Sequence, residues 1–278
     1  MNLAPSVNRQ VGFTLIELLV ALGIFLVITG AAFTLLSTSQ QRYQTESQVL
    51  TSFQEARLGL DQMVRDINDA GFPPPTFFSS SYPLQSASSP FGWSPGYTVP
   101  TPCQIGTGGG GTCFTPGDFD IIIETNPNPN PSDPSSGVKW IRYVLQGTTL
   151  MRGVADKATS ADPAVQTSLS GVLVPFVQNV VNNAPNEQIG LYQLSATNPA
   201  VFPGGNPVPI FSYSCDNSSA PPPTVPCPYP AVGTDNSPKN IRDVGITLIV
   251  AAPLPDATTG HPRLVQLSGR GRRVNPNQ

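Results

Sequence analysis

Glu17 is the one charged residue in a long apolar run, and its position raises a chemical question. The run "VGFTLIELLVALGIFLVITGAAFTLL" spans residues 11–36, and Glu17 lies four positions after Phe13. A carboxylate at mid-membrane costs about 2.5 to 3.5 kcal/mol on insertion scales, and less near the edge. Two groups could compensate it: the positive end of a helix dipole, or a new α-amine on Phe13 if the chain is cut after Gly12.

The apolar run itself predicts a membrane segment. Residues 13–36 would form a helix of about 36 Å, which is enough to cross the hydrocarbon core of a bilayer. Arg9 and the amino terminus precede it, which favours a cytoplasmic start and an exported remainder. An ordinary secretory signal would be cut near residues 30–32, where small residues lie. Glu17 argues against that alternative, because it would have no compensating group there.

Composition and cysteine placement limit the remaining classes of function. Charged residues make up 11% of the 278 residues and the net charge is −3, so there is no global electrostatic case for a nucleic-acid partner. The cysteine spacings do not suit zinc, and His261 is the single histidine. We predict two local disulfides in an oxidising compartment, Cys103–Cys113 and Cys215–Cys227. Four reduced, unrelated thiols are the alternative.

An amphipathic helix follows the apolar run. Gly71 suits a left-handed helix cap and residues 73–75 are prolines, so this helix should end near Ala70. Its apolar stripe should pack on strands of the same chain, although a coiled-coil seam between two chains is an alternative. The stripe comprises Val49, Phe53, Ala56, Leu60, Met63, Ile67 and Ala70, and Arg57, Asp61, Asp66 and Asp69 lie between these positions on a face predicted to be solvated.

The rest of the chain predicts β-strands separated by long loops. Residues 72–114 are rich in Pro, Ser and Gly, and residues 126–137 are mostly Asn, Pro, Ser and Asp. The predicted strands are residues 118–125, 138–147, 148–154, 172–181, 188–194, 210–214, 244–250 and 263–267. A polar tail with Arg270, Arg272 and Arg273 should be a solvated chain end; contact with DNA phosphates or an acidic partner is the alternative.

These elements predict an α+β fold, in which a long N-terminal helix, part membrane-spanning and part amphipathic, packs on an antiparallel β-rich head with long loops. The sequence contains no phosphate-binding loop, no Ser/His/Asp arrangement and no cluster of metal ligands. The Asn- and Asp-rich segment at 126–137 lacks the ordered ligands of a calcium loop. We therefore expect no enzyme activity, cofactor or metal.

The residues around Glu17 resemble a known signal. Gly12 followed by "FTLIELLVALGIFLV" resembles the class III signal of type IV prepilins and type II secretion pseudopilins. The resemblance implies that a prepilin peptidase cuts between Gly12 and Phe13 and N-methylates Phe13, and that Glu17 serves filament assembly. Thr34 stands where major pilins usually carry a helix-kinking proline, which favours a minor pilin or a pseudopilin.

A second stretch narrows the resemblance. "FQEARLGLDQMVRDINDAGF", residues 53–72, is similar to minor pilins of the PilW type and to their type II secretion relatives of the J type. The chain would then divide into a leader (1–12), a transmembrane or filament-core helix (13–36), the amphipathic half of the helix (37–71) and an exported head (72–278). The fragment 40–278 should be soluble and monomeric.

The resemblance implies a minor pilin-like structural subunit of type IV pilus assembly. A type II secretion pseudopilin and a membrane-anchored module that binds a surface or DNA are the alternatives. The implied partners are a prepilin peptidase, other minor and major pilins or pseudopilins, and inner-membrane lipid before assembly, whereas nucleic acid has no support. We expect a single-pass inner-membrane protein with a periplasmic head that later joins a filament or its tip at the cell surface.

Overall fold

A computed structural model describes residues 12–74, 89–92, 116–130, 132, 137–157, 172–185, 188–189, 192–215, 225–227, 240–256 and 259–274. The chain divides into two compact units, Met1–Glu46 and Ser47–Gln278, and helix α1 (Leu15–Asn68) contributes to both. The other helical elements are short: α2 (Leu194–Thr197) and a 3₁₀ turn (Pro203–Gly205). The strands are β1 (Asp120–Thr125), β2 (Lys139–Gln146), β3 (Thr149–Asp156), β4 (Val174–Val177), β5 (Gln188–Ile189), β6 (Tyr192–Gln193), β7 (Phe211–Cys215), β8 (Val225–Pro226), β9 (Ile241–Ala251) and β10 (Leu264–Arg272).

Helix α1 ends close to the predicted position. Its last helical residue is Asn68, two residues before the predicted end at Ala70, and a turn follows. Gly71 adopts a left-handed conformation with φ of 81°, which residues with a Cβ rarely adopt. The Gly71 amide donates a hydrogen bond to the Glu124 carbonyl at 2.8 Å, so the chain leaving the helix is joined to β1.

The strands form two antiparallel sheets and a small hairpin. The first sheet has the order β1-β2-β3-β4, the second has the order β10-β9-β7-β8, and β5 pairs with β6. The prediction of an antiparallel β-rich head is therefore confirmed, although β9 and β10 are longer than predicted and two other predicted strands were wrong in extent. The segment predicted as one strand at 188–194 contains the two short paired strands β5 and β6, and Leu194 begins α2; the predicted strand at 172–181 is reduced to β4. Val180 instead makes an isolated bridge to Val250 of β9.

Asn182 joins the second sheet to the loop that precedes α2. Its side chain is fully buried and donates to the carbonyls of Val208 and Thr247, at 3.1 and 2.9 Å. It also accepts a hydrogen bond from the Ile249 amide at 2.8 Å. The Asn182 side chain thus forms hydrogen bonds with backbone groups of Thr247 and Ile249, in the part of β9 that no longer pairs with β7.

The C-terminal part of α1 packs against both sheets, as the sequence predicts for its apolar stripe. This intramolecular packing forms the main core because each sheet presents alternating apolar side chains towards the helix. The buried helix residues are Ala56, Leu60, Met63 and Ile67, with Ala70 in the turn; their neighbours in the core include Ile121, Ile141, Tyr143 and Leu150 of the first sheet, and Tyr213, Val244, Ile246 and Leu248 of the second.

Asp66 is buried, so the prediction that it lies on the solvated face of the helix was wrong. Its Oδ2 accepts hydrogen bonds from the Tyr143 hydroxyl at 2.6 Å and from Arg152 Nη2 at 3.0 Å, while Gln62 Nε2 donates to Oδ1 at 2.8 Å. The charge is tolerated because these donors replace water. Burial, with the adjacent carboxylate, raises the pKa of Tyr143, so the tyrosine stays a neutral donor.

Strand β10 continues to Arg272, so Arg270 and Arg272 lie in a strand and not in a free chain end, although both side chains are exposed as predicted. Arg270 Nη2 lies 2.7 Å from Oδ2 of Asp243 on β9, and Arg272 Nε lies 3.8 Å from Oδ1 of the same carboxylate. Arg273 is 3% exposed. The strand register explains both contacts of Asp243, because Arg272 lies directly opposite it on β10 and Arg270 lies two residues away on the same face.

Two glycines of β10 allow its backbone to approach α1. A Cβ on Gly271 would lie 2.5 Å from Cγ2 and 2.7 Å from Cβ of Ile67. We therefore expect Gly271→Ala to lower the free energy of unfolding by about 1 to 3 kcal/mol, because the packed helix has to shift. Urea denaturation of fragment 40–278 measures this. Gly245→Ala on β9 is the control, since the one close contact of its Cβ, at 2.5 Å, would be with the rotatable Ser212 hydroxyl; an equal loss in both variants would contradict the close approach of β10 to α1.

A disulfide joins Cys215, at the end of β7, to Cys227 just after β8, with their Cα atoms 5.6 Å apart. The two residues lie beside the β7–β8 pairing, where Cys215 opposes Val225. Oxidation of this pair in the cell stays a prediction. Cys103 and Cys113 lie outside the described residues.

Candidate processing and assembly site

Glu17 takes part in a reciprocal cap at the start of α1. Its Oε2 accepts hydrogen bonds from the Thr14 amide and from the Thr14 hydroxyl, both at 2.9 Å. The Glu17 amide donates in return to Thr14 Oγ1 at 3.4 Å. This is a capping box, in which a threonine before the first helical turn and a glutamate three residues later satisfy each other's backbone amides.

The capping box is a feature that the sequence interpretation missed, although its signal was present. "TLIE", residues 14–17, follows the pattern Thr-x-x-Glu ahead of an apolar run. The helix dipole and the Phe13 α-amine were the predicted compensating groups, and Thr14 had no predicted role. The cap supplies a local reason for the carboxylate that holds before any cleavage. It engages one oxygen of Glu17, and Oε1 has no hydrogen bond to any described residue.

The surface of the N-terminal segment is almost entirely apolar. Of the described residues, α1 provides the one helix with the length and apolar composition to cross a membrane, and none of its most apolar window is buried. Phe13 is 89% exposed. The large exposed apolar residues between positions 15 and 36 are Leu15, Ile16, Leu18, Leu19, Val20, Leu22, Ile24, Phe25, Leu26, Val27, Ile28, Phe33, Leu35 and Leu36. Such a surface requires lipid or other apolar helices around it.

The hydroxyl groups in this segment are satisfied within the helix. Thr29 Oγ1 donates to the Phe25 carbonyl at 2.7 Å, and Thr34 Oγ1 donates to the Gly30 carbonyl at 2.9 Å. These bonds remove the need for water at either side chain. Helix α1 continues through Thr34, the position at which major pilins usually carry a helix-kinking proline.

Gly12 and Phe13 precede the helix and are exposed. No atom lies within 4 Å of a Cβ built on Gly12, apart from its chain neighbours. The peptide bond between these residues is therefore accessible, and the conformation around Gly12 does not itself require glycine. Cleavage there would leave an α-amine on Phe13, directly before Thr14 of the capping box.

The described part of the chain contains no group of three or more His, Cys, Asp or Glu side chains placed to hold a metal ion. Its buried charges are instead paired across strands or between helix and sheet. Glu124 and Lys157, for example, are both fully buried, with Nζ and Oε2 2.9 Å apart. Arg142 and Asp120 form a second pair between β2 and β1, at 2.5 Å. These pairs serve the packing of the head.

Comparison with known proteins finds a match at this site. The family model described as the prokaryotic N-terminal methylation motif matches residues 7–33, which contain Gly12, Phe13, Thr14 and Glu17. The motif is a class III signal, and it supports a pilin- or pseudopilin-like prepilin that is processed at the signal. No curated protein and no solved structure matches the chain.

The motif, the long apolar helix and the antiparallel sheets together fit a type IV pilin-like protein of α+β architecture. The motif implies processing by a prepilin peptidase and assembly with other pilins, and it supports membrane anchoring and a pilus-associated location. Pilin-like proteins with this motif are structural rather than enzymatic.

Proposed function

We propose that the chain is a minor pilin-like subunit that takes part in type IV pilus assembly. The observation that carries this proposal is the methylation motif at residues 7–33, which opens an apolar helix with an exposed surface. A prepilin peptidase cuts between Gly12 and Phe13 and methylates Phe13. Residues 13–36 then move from the inner membrane into a filament core or tip, where helices of other subunits replace lipid around the same apolar surface.

Glu17 has two roles in this proposal. In the precursor, it caps α1 through Thr14, which satisfies amides that would otherwise face lipid. After cleavage, Oε1 accepts a hydrogen bond from the α-amine of a neighbouring subunit's Phe13. The same-chain amine is the competing partner. A charge pair inside apolar surroundings is strong because salt screens it little. Because the pair joins Phe13 of one subunit to Glu17 of the next, it fixes the axial position of one helix relative to the other.

The head, residues 72–278, faces the periplasm before assembly and the filament exterior afterwards. The amphipathic segment at 37–71 connects the membrane segment to the head. Its buried apolar residues pack against the two sheets, so they are not available to a second chain. The disulfide between Cys215 and Cys227 fits the oxidising compartment that this orientation requires.

Glu17→Val tests the proposal. We expect this variant to be processed and held in the membrane like the wild type, since valine is more apolar, yet to enter filaments at least about tenfold less, because the intersubunit pair is lost. Immunoblots of membranes give processing, and immunoblots of sheared filaments give incorporation. Leu18→Val is the matched control, because Leu18 is adjacent, 63% exposed and outside the cap.

A further variant separates capping from assembly. Thr14→Val removes the hydroxyl half of the capping box and leaves the Glu17 carboxylate in place. We expect its incorporation to stay close to that of the wild type. If Thr14→Val fails to assemble as severely as Glu17→Val, the carboxylate acts through the cap alone. If Glu17→Val is incorporated normally, Glu17 has no assembly role. A chain found only in a secretion pseudopilus would favour the pseudopilin alternative.

A further inference from the structure

Among the described strands, β10 lies at the edge of its sheet, and no described strand pairs with its outer side. Sheet order places β10 last, beside β9 alone. The Arg273 amide donates to the Arg242 carbonyl, and the Ala252 amide donates to the Arg263 carbonyl, so the odd-numbered residues of this strand bond to β9. By alternation, Leu264, Gln266, Ser268, Arg270 and Arg272 turn their amides and carbonyls away from the sheet.

The outward backbone groups have a partner at one end of the strand only. The Arg272 amide donates to Asn68 Oδ1 of α1 at 2.8 Å, which closes that end. Within the described ranges, the outward amides and carbonyls of Gln266, Ser268 and Arg270 have no protein partner, and all three residues are exposed. Three consecutive outward residues form a template for an added strand, since proteins usually shorten or cover an edge of this kind.

The positive charges of Arg270 and Arg272 beside this edge favour a negatively charged partner. The side chains of Arg270 and Arg272 lie on the sheet face turned away from α1, about 6.8 Å apart along the strand. They are 60% and 55% exposed and share one internal acid, Asp243, whose side chain is 2% exposed. Asp243 holds the Arg270 guanidinium at 2.7 Å but leaves Arg272 at 3.8 Å, beyond hydrogen-bond reach. Guanidinium donors are therefore left for a second carboxylate.

The neighbouring sheet face leaves room for such a partner. Ser212, Gly245 and Ser268 are small residues on the same face as the two arginines. The apolar half of this face, around Ile249, packs against residues of α2 and of the segment before the 3₁₀ turn, whereas Ser212, Ser268, Arg270 and Arg272 on the other half are exposed. The exposed side chains on this half are thus polar or cationic.

We propose that the open edge of β10, from Leu264 to Arg270, binds an extended acidic segment of a partner protein by strand addition. Backbone groups of the segment pair with Gln266, Ser268 and Arg270, and carboxylates at alternate positions meet Arg270 and Arg272. Asn68 sets the limit of the added strand, because it occupies the Arg272 amide. The site shares no residue with the processing site at Gly12 and Phe13, so we expect it to bind with or without processing.

The test uses the purified full-length chain in detergent micelles and a labelled synthetic peptide of about ten residues in which Thr and Glu alternate. We expect fluorescence anisotropy to show saturable binding that weakens with salt, and no comparable binding of the matched Thr/Lys peptide. Hydrogen exchange should show that the peptide protects the amides of Gln266, Ser268 and Arg270. Absence of binding at millimolar peptide, equal binding of the Lys peptide, or binding without protection of β10 overturns the proposal.

Two variants locate the site. Ser268→Pro removes an outward amide without touching the ladder to β9, and we expect affinity to fall about tenfold or more, with Ser268→Ala as the control. Arg272→Gln should weaken binding about two- to fivefold and reduce the salt dependence. Should Ser268→Pro fail to fold, the Arg272→Gln result still decides. Unchanged affinity in a folded Ser268→Pro chain, or in Arg272→Gln, contradicts strand addition at this edge.

Discussion

We expect cells that express the Gly12→Ala chain to accumulate a membrane-anchored precursor, with processing reduced about 10- to 200-fold, the range that one added methyl group produces in a tight enzyme pocket. We attribute the effect to recognition by the peptidase, because Gly12 is exposed and no described residue would clash with a Cβ there. The folded chain is therefore unchanged, and only recognition of the cleavage site is lost. Immunoblots of membrane fractions separate precursor from mature chain by the mass of the leader.

Gly23→Ala is the matched control for this result. Gly23 lies in the same apolar segment and also has open space where a Cβ would be. We expect Gly23→Ala to be processed like the wild type. Normal processing of Gly12→Ala would show that cleavage occurs elsewhere, and blocked processing of both variants would show that the substitutions act through the helix rather than through the cleavage site.

The second large effect is expected from Leu60→Asp, which should lower the free energy of unfolding of fragment 40–278 by more than about 3 kcal/mol. Leu60 is 8% exposed and belongs to the core between α1 and the sheets. Its Cδ1 lies 2.9 Å from the position of a Cβ on Gly269, so it fills the close approach of β10 to the helix. The substitution removes an apolar contact and buries a carboxylate without a partner.

Leu58→Asp provides the control, because Leu58 lies two residues away on the same helix and is 71% exposed. We expect its free energy of unfolding to stay within about 0.5 kcal/mol of the wild type. Urea denaturation compares both variants. A Leu60→Asp fragment as stable as Leu58→Asp, or a wild-type fragment that dimerises and loses its dimer in Leu60→Asp, would contradict packing of the stripe within one chain.

Periodicity made much of this architecture predictable. The stripe that includes Leu60 and Ile67 follows the helical repeat, and Gly71 with the following prolines marks the helix end. Strand β9 alternates Val244, Ile246 and Leu248 towards the core, which is the two-residue period of a half-buried strand. These features depend on local pattern and are therefore visible in one sequence.

The features that were missed depend on partners distant in sequence. Asp66 appeared solvated, because its donors Tyr143 and Arg152 lie on strands more than 70 residues away. The "SGRGR" at 268–272 appeared to end a strand, yet its glycines are what let β10 approach α1. Thr14 is the exception: its cap is local, and the Thr-x-x-Glu pattern would have indicated it.

The mass of the N-terminal peptide of the chain, purified from the membranes of cells that have the cognate prepilin peptidase, tests the central claim most directly. We predict a chain that begins at Phe13 with one added methyl group on its α-amine, and the full-length precursor in cells without that peptidase. A chain that begins after the apolar run, near residues 30–32, or one that keeps Met1 in both cells, would contradict processing at Gly12 and with it the proposed pilin-like role.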